Sequence, residues 1–188
     1  YQSEELHEFT IQGLADLLTI YEKKGTLKGL KLAFVGDGNN MAHSLMLGCS
    51  KLGIDVSIAC PDGYKPNPVY TAWAIANADK AGSKVTICTD PLEACKDADV
   101  LYTDVWASMG QEGEAAQRRK DFDGYQINDK ALAVAKKDCI FLHCLPAHRG
   151  EEVTADVIDG PHSVVFDEAE NRLHAQKAVM ALLMGEKI

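Results

Sequence analysis

The side chains best suited to binding or chemistry lie in four short polar segments, and each segment comes at the carboxyl end of an apolar run. In chain order the segments are residues 36–40, 104–111, 143–149 and 167–172. Between them they offer carboxylates, amides, a hydroxyl, a thiol and a guanidinium. Such groups can pair with the ammonium and the anionic ends of one small ligand. These segments form the candidate site, and the elements between them must bring them together.

The first segment, Gly36-Asp37-Gly38-Asn39-Asn40, is similar to the start of a dinucleotide-binding turn, but Met41 stands at the third glycine position. One interpretation is a tight turn whose glycines allow positive φ and whose Asn caps the next helix. The other is an anion site, where the helix N-terminus and the Asn40 amide hold a carboxylate. Both interpretations stay open, and nucleotide binding rests on this segment alone.

The second segment begins with Asp104 at the end of an apolar run and continues through Trp106, Ser108, Met109 and Gly110. The Asp104 carboxylate can pair with a ligand ammonium, while Ser108 and backbone N–H groups can bind an anion. A glycine-containing stretch also fits a loop that closes over a ligand. A surface loop with a buried Trp106 is the alternative.

The third segment places Cys144 directly after His143, which suggests a nucleophilic site. However, neighbouring residues of a strand point to opposite faces, so the adjacency argues against a Cys–His pair. A buried thiol at a strand end is the simpler interpretation of Cys144. The Leu145-Pro146 pair predicts a constrained turn, in which a cis peptide is an option, that directs backbone carbonyls toward the ligand.

The fourth segment, residues 167–172, leads into the last predicted helix. Glu168 and Glu170 lie near its N-terminus, where carboxylates interact favourably with the helix dipole. Arg172, on the first turn, would direct its guanidinium toward a phosphate or carbonyl oxygen of a ligand. The segment therefore predicts a helix start that also contributes a cation to the site.

Short apolar, β-branched runs alternate with helix-compatible stretches along the chain. The runs predict six strands, at residues 31–35, 55–60, 84–88, 100–103, 139–143 and 163–166, and the stretches predict helices at 40–51, 68–81, 91–96 and 130–136. Because several runs are apolar throughout, we expect strands that are covered on both faces. The alternation predicts a doubly wound, Rossmann-like parallel α/β sheet, with ligands bound beyond the carboxyl ends of its strands.

Two further helices are predicted to flank this sheet. One spans residues 12–24 with Gly25 as its stop, and the other spans residues 171–185. The predicted organisation is an N-terminal linking helix at residues 1–28, one α/β domain at 29–170 and a C-terminal helix at 171–188. The apolar stripe of the last helix can pack on its own domain or on a partner.

Composition limits the class of protein. The chain has 188 residues, 46% of them hydrophobic, which suits one globular domain. A net charge of -9 argues against nucleic-acid binding. Six cysteines without a C-x-x-C pair or zinc spacing predict reduced thiols, no metal site and a cytoplasmic location. No apolar run of membrane-spanning length and no signal peptide are evident, so no membrane association is expected.

The four segments, in this order and spacing, resemble the ornithine carbamoyltransferase family, whose signatures are GDGNN, DxWxSMGQ, HCLP and FxEAENR. The resemblance runs from about Gln12 to the end of the chain and corresponds to the ornithine-binding domain of that family. Aspartate carbamoyltransferases share the fold but lack these loops. The resemblance implies transfer of the carbamoyl group of carbamoyl phosphate to the δ-amine of ornithine, giving citrulline and phosphate without a cofactor.

Ligand roles carry over from the family residue by residue. The resemblance implies that the α-amino and α-carboxylate groups of ornithine bind to Asn40, Asp104, Ser108 and the backbone at Met109. It implies that carbamoyl phosphate contacts Gln12, Cys144, Leu145 and Arg172. Cys144 is the implied catalytic residue beside the δ-amine. As a thiolate it would accept a proton or lower the pKa of the amine electrostatically, and both roles stay open.

The chain also departs from the family pattern. The first domain of the family, with its Ser-Thr-Arg-Thr phosphate loop, has no counterpart here, and Phe9 stands where the family has the His of His-Pro-x-Gln. We therefore expect the chain to be inactive alone. The parent family is homotrimeric largely through its first domain, so weaker association, or a monomer, is expected. The alternatives are an isolated module with weak or no amino-acid binding and a nucleotide-binding Rossmann domain.

Overall fold

Five parallel strands form the core of the protein. The computed structural model describes residues 10–107, 110 and 112–185. The strands are β1 Lys31–Val35, β2 Asp55–Ala59, β3 Val85–Cys88, β4 Val100–Thr103 and β5 Ile140–His143. Their spatial order is β3-β2-β1-β4-β5. The chain winds outward from β1 to β3 and then crosses back to β4, so the switch point lies between β1 and β4. The predicted doubly wound α/β fold is confirmed.

Both faces of the sheet are buried, which explains the nearly continuous apolar runs. On β1, Leu32 and Phe34 join one core cluster, whereas Ala33 and Val35 join the other. Since successive strand residues point to opposite faces, each strand must be apolar at every position to serve both clusters. All four of these side chains are fully buried.

Eight α-helices and one 3₁₀-helix are found in the described part of the chain. They are α1 Ile11–Lys24, α2 Asn40–Leu52, α3 Pro68–Ala81, α4 Pro91–Cys95, a 3₁₀-helix Glu112–Glu114, α5 Ala115–Asp121, α6 Asp129–Val134, α7 Ala155–Ile158 and α8 Val165–Met184. The predicted helices match α1, α2, α3, α4 and α6 to within two residues at each end. The 3₁₀-helix, α5 and α7 have no predicted counterpart.

The prediction of a sixth strand at residues 163–166 is wrong. Ser163 forms only an isolated bridge with Phe141, and α8 begins at Val165. Residues 167–172 are therefore the first turns of a helix and not a loop after a strand. The β-branched run resembles a strand in isolation, but the acidic first turn and the helix-forming residues that follow favour the helix. The last helix therefore starts six residues earlier in the structure, at Val165, than the sequence predicts.

Helices α1 and α8 pack against each other beside the sheet. The Asn171 amide joins them, because it donates to the Thr19 hydroxyl at 3.0 Å and to the Glu22 carboxylate at 2.7 Å. The far end of α8 is exposed, including Leu182, Leu183 and Met184. The division of the chain at residues 28 and 170 stays a prediction, and α8 runs across the second of these boundaries.

Within residues 10–107, 110 and 112–185, no helix is both long enough and apolar enough to cross a membrane.

Candidate functional site

Three of the four polar segments meet at the switch point of the sheet. The last residues of β1, β4 and β5 are neighbours, since Val35 pairs with Thr103 and Thr103 pairs with His143. The segments that begin at residues 36, 104 and 143 therefore leave the same edge side by side. Parallel strands produce this arrangement, because all their carboxyl ends face one way.

Asp104 is the residue on which these segments converge. Its Oδ2 accepts a hydrogen bond from the Asn39 amide at 3.1 Å, and its Oδ1 accepts one from the Cys144 thiol at 3.0 Å. The backbone N–H of Val105 also donates to Oδ1, at 2.8 Å. Asp104 is only 7% exposed, so these hydrogen bonds replace the water that its carboxylate would otherwise hold.

A cleft opens beside Asp104, and it brings five of the predicted ligand residues together. Its lining consists of Thr10, Ile11, Gln12, Asn40, Met41, Cys144, Leu145, Arg172 and Gln176. Gln12, Asn40, Cys144, Leu145 and Arg172 were all predicted from the sequence. Their ligand roles stay predictions. Ser108, Met109 and Phe9 lie outside the described residues.

Cys144 is held as a neutral thiol. Burial raises its pKa, and the charge of Asp104 and the hydrogen bond to that carboxylate raise it further, to well above the ordinary value of a cysteine. The thiol proton is accordingly the donor in the contact with Asp104. Either role assigned to a Cys144 thiolate requires that a bound ligand first break this contact.

His143 and Cys144 bind different partners, as neighbouring strand residues should. The His143 ring accepts the N–H of Leu145 at Nδ1, at 2.9 Å, which leaves Nε2–H to donate to Glu152 at 3.3 Å. The peptide between Leu145 and Pro146 is cis, which confirms the predicted constrained turn. His143 thus holds the turn that presents Leu145 to the cleft.

The glycine-rich turn after β1 has a structural explanation. A Cβ on Gly38 would lie 2.3 Å from the backbone nitrogen of Pro66, so only glycine fits there. The Asn39 side chain caps α2 by accepting the N–H groups of Met41 and Ala42. The tight-turn interpretation is confirmed, with Asn39 as the cap. Asn40 lines the cleft beside this helix start, and its role toward an anion stays a prediction.

Comparison with known proteins shows which family the chain belongs to. The family model described as "Aspartate/ornithine carbamoyltransferase, Asp/Orn binding domain" matches residues 28–183. The chain belongs to this carbamoyltransferase family. All four polar segments lie within the matched range.

Individual carbamoyltransferases are similar over almost the whole chain. The ornithine carbamoyltransferase of Thermococcus kodakarensis is 63% identical over 174 residues, which is 93% of this chain and 55% of that protein. The anabolic ornithine carbamoyltransferase of Pyrococcus furiosus is 62% identical, with the same coverage. The chain thus spans little more than half the length of the curated relatives that it matches.

Solved carbamoyltransferase structures share the fold. The ornithine carbamoyltransferase from Pyrococcus furiosus superposes with a TM-score of 0.90 at 59% identity, over 95% of this chain and 58% of that one. The enzyme from Gloeobacter violaceus gives 0.87 at 54% identity, over 93% of this chain and 58% of that one. In this carbamoyltransferase domain, the sheet and its switch point are those of the family.

Two groups of residues beside the site had no predicted role. Arg118 is buried and pairs with Asp37 at 2.6 Å, and it donates to the Trp106 carbonyl at 2.9 Å. It thereby joins the glycine-rich turn to the segment after β4. Its neighbours Arg119 and Lys120 make the stretch look like a solvated helix face, so the sequence carries no signal for this arginine.

The second group, Asp16 of α1 and Glu168 of α8, is a buried carboxyl pair under the cleft. The sequence did offer a signal for it. Gln12, Asp16 and Ile20 follow each other at intervals of four on α1, so two polar residues share the face that buries Ile20. For Glu168 the sequence indicates only a favourable interaction with the helix dipole.

One group of side chains in the described part of the chain has the composition of a metal site. It consists of His148, Glu151 and Glu152, whose ligand atoms lie within 4.8 Å of one another. Glu151 already pairs with Arg119 at 2.7 Å, and Glu152 accepts hydrogen bonds from the His143 ring and the His148 backbone. The group thus has structural partners of its own, and the absence of a metal site stays a prediction.

Proposed function

We propose that this chain is the ornithine-binding half of an ornithine carbamoyltransferase, which transfers the carbamoyl group of carbamoyl phosphate to the δ-amine of ornithine. The products are citrulline and phosphate, and the reaction belongs to arginine biosynthesis. The observation that carries the proposal is that Asp104 contacts both Asn39 and Cys144, directly beside the cleft that Asn40 and Cys144 line. The family and its relatives support the choice of ornithine.

Asp104 is the proposed anchor for the α-amino group of ornithine. Its carboxylate is buried and is held by neutral donors, the Asn39 amide and the Cys144 thiol. An ammonium would be a stronger partner, because a charged hydrogen bond is worth about twice a neutral one. Asn40, Ser108 and the backbone at Met109 would hold the α-carboxylate.

The δ-amine must reach the carbamoyl carbon in its neutral form, since an ammonium has no lone pair for attack. The cleft wall next to Cys144 and Leu145 is where this amine would lie. An α-ammonium bound to Asp104 would displace the Cys144 thiol, which could then contact the δ-amine. Cys144 is therefore the proposed residue for handling the proton of the reaction.

The carbamoyl phosphate end of the cleft is formed by Gln12, Leu145 and Arg172. Arg172 supplies a guanidinium whose planar fork suits phosphate oxygens. The larger part of the phosphate grip belongs, in the family, to the first domain. We therefore propose that the 188-residue chain binds ornithine but does not turn over carbamoyl phosphate by itself.

The proposed location is the cytoplasm, and the proposed partners are the two small substrates alone, without nucleic acid or membrane. The acidic balance of the chain, at a net charge of -9, supports the exclusion of nucleic acid. A monomer is the proposed state of this chain by itself.

Calorimetric titration of the chain with ornithine, aspartate and NAD tests the substrate class. We expect heat of binding with ornithine only. Binding of aspartate instead would assign the chain to the sister activity, and binding of NAD would restore the nucleotide-binding alternative. Failure of all three would favour an isolated module without amino-acid binding. A citrulline assay in the presence of both substrates should give no turnover, and robust turnover would contradict the proposed need for a first domain.

A further inference from the structure

A pair of acid side chains lies under the floor of the cleft. Asp16 of α1 and Glu168 of α8 are both fully buried, and both accept hydrogen bonds from the same side chain, Gln12. The Gln12 Nε2 lies 2.7 Å from Asp16 Oδ1 and 3.2 Å from Glu168 Oε1. An amide nitrogen carries two hydrogens, so the pair uses both of them.

This arrangement fixes which end of the Gln12 amide is available to a ligand. Gln12 lines the cleft, and with its nitrogen committed to the acids its Oε1 is left to face the cleft. The reversed amide would set Oε1 against two carboxyl oxygens and would leave buried acceptors without donors, which is costly. Gln12 is therefore presented as a hydrogen-bond acceptor.

Glu168 accepts two further hydrogen bonds. Its Oε2 accepts the backbone N–H of His143 at 2.8 Å, and its Oε1 accepts the Tyr102 hydroxyl at 3.2 Å. Asp16 Oδ2, in contrast, is buried without a hydrogen-bond partner among the described residues. Burial raises the pKa of Asp16 to about 7, and burial together with the nearby Asp16 charge raises the pKa of Glu168 as well. The pair therefore retains a proton near neutral pH. Placed between the two acids, this proton relieves their repulsion and leaves Asp16 Oδ1 and Glu168 Oε1 to accept from Gln12.

We propose that Asp16 and Glu168 are positioning residues that hold the Gln12 amide with its oxygen toward the cleft, where it accepts an N–H of the carbamoyl group. This inference rests on the proposed function and adds a reason why the cleft would select its carbamoyl donor. A carbamoyl donor carries –CO–NH₂, whereas an acyl donor such as an acetyl group carries –CO–CH₃ and has no N–H to offer. The acid pair would thus make the cleft select a carbamoyl group over an acetyl group of the same size.

The test compares two stable phosphonates, phosphonoacetamide and acetonylphosphonate, which differ only in an NH₂ or a CH₃ group on the carbonyl. NMR titration of the 188-residue chain measures both dissociation constants, even when binding is weak. Wild type should bind the amide roughly fivefold more tightly, the worth of one hydrogen bond of about 1 kcal/mol. In Gln12→Ala the ratio of the two constants should fall to about one.

Glu168→Gln is the decisive variant, because it leaves Gln12 in place. The new side chain must keep its oxygen toward the His143 N–H, which turns its NH₂ toward the Gln12 nitrogen. Gln12 then has to reverse and present its own NH₂ to the cleft, so the preference for phosphonoacetamide should vanish or invert. Glu170→Gln, an exposed position on the same helix, is the matched control and should keep the wild-type ratio. Loss of affinity for both ligands by the same factor in Glu168→Gln would mean a merely structural role.

A measurement on wild type alone keeps the inference testable if Glu168→Gln fails to fold. The side-chain NH₂ of Gln12, assigned by its absence in Gln12→Ala, should exchange with solvent more slowly than the other glutamine side chains. Fast exchange would overturn the orientation. If wild type bound the two phosphonates equally well, the proposed selectivity for the carbamoyl group would be wrong. The proposed function would still stand if the same chain bound ornithine. Failure of both phosphonates to bind would overturn the carbamoyl phosphate end of that function too.

Discussion

At the scale of the residue, Asp104 is the proposed anchor for the ligand. It is a buried carboxylate whose partners among the described residues are an amide, a thiol and a backbone N–H, none of them charged. A buried carboxylate without a cation is strongly disposed to accept one. The ligand that completes this residue should therefore carry an ammonium group, as an amino acid does.

Replacing Asp104 by Ala should abolish measurable ornithine binding. The reason is the loss of a charged hydrogen bond, which costs about 1.5–3 kcal/mol or roughly a ten- to 150-fold weaker dissociation constant. Ser108→Ala should likewise abolish it, whereas Cys144→Ala should spare ornithine binding. Isothermal calorimetry measures all three, with the exposed Asp62→Ala as a control. An Asp104→Ala variant that binds ornithine as wild type does would show that the role assigned to this carboxylate is wrong.

At the scale of the element, the glycine-rich turn and the α1–α8 pair set the geometry around the cleft. The turn after β1 is packed against residues 64–66, and Gly38 is the point of closest approach. The two helices are joined by the buried Asn171 amide and by the acid pair. Both features can be tested through stability, without any ligand.

Gly38→Ala should destabilise the protein by about 1–3 kcal/mol, because the added methyl group would lie 2.3 Å from the Pro66 nitrogen and the backbone must move. Gly113→Ala is the matched control, since a Cβ there meets nothing within 4 Å. Urea denaturation measures the free energy of unfolding of both. Equal stability of the two variants would contradict the close packing at the turn.

The acid pair should make the stability of the protein fall as the pH rises. The pKa of Asp16 is raised from 3.8 to about 7 by burial, so above pH 4 the unfolded chain has lost a proton that the native protein keeps. Stability from this group is fully present below pH 4 and is lost as the pH rises toward 7. Within this window, the free energy of unfolding should fall by up to about 1.4 kcal/mol for each pH unit, because one proton is involved.

Asp16→Asn should flatten this dependence, while the exposed Asp79→Asn should leave it unchanged. The comparison uses the free energy of unfolding from urea titrations at several pH values between about 4 and 7. Slopes that run parallel in wild type and Asp16→Asn would mean that Asp16 does not hold a proton in the folded protein.

At the scale of the whole molecule, the described residues form a five-stranded α/β sheet with the candidate site at the carboxyl edge of its strands. It matches little more than half of each relative's length, at 55% of the first two relatives. The described residues form a core that is covered on both faces of the sheet. This buried core supports independent folding of the domain.

The 188-residue chain should behave as a monomer of 20.4 kDa in solution. We expect this because the resemblance assigns most of the trimer contacts of the family to the first domain. Light scattering coupled to gel filtration, at several protein concentrations, measures the mass. A stable species of about three times that mass would place the trimer contacts in this domain instead.

Sequence alone predicted the sheet and the location of the site well. Strands β1 and β4 have the predicted bounds, since a short apolar run with helical stretches on both sides admits few other folds. The rule that ligands bind at the carboxyl ends of parallel strands predicted that segments 36–40, 104–111, 143–149 and 167–172 share one edge. The strand ends before the first three are neighbours, whereas the fourth segment lies in α8.

The tertiary structure decided which side chains meet. Cys144 and Asp104 are 40 residues apart, Arg118 and Asp37 are 81 apart, and Gln12 and Glu168 are 156 apart. Local propensity and periodicity describe a helix or a strand, but they carry no information about how distant elements pack. The wrong strand at residues 163–166 has the same cause, because a short apolar run has no intrinsic conformation until its neighbours bury it. The sequence determined the site's position and chemical types, whereas packing determined its hydrogen bonds and the protonation of its acids and thiol.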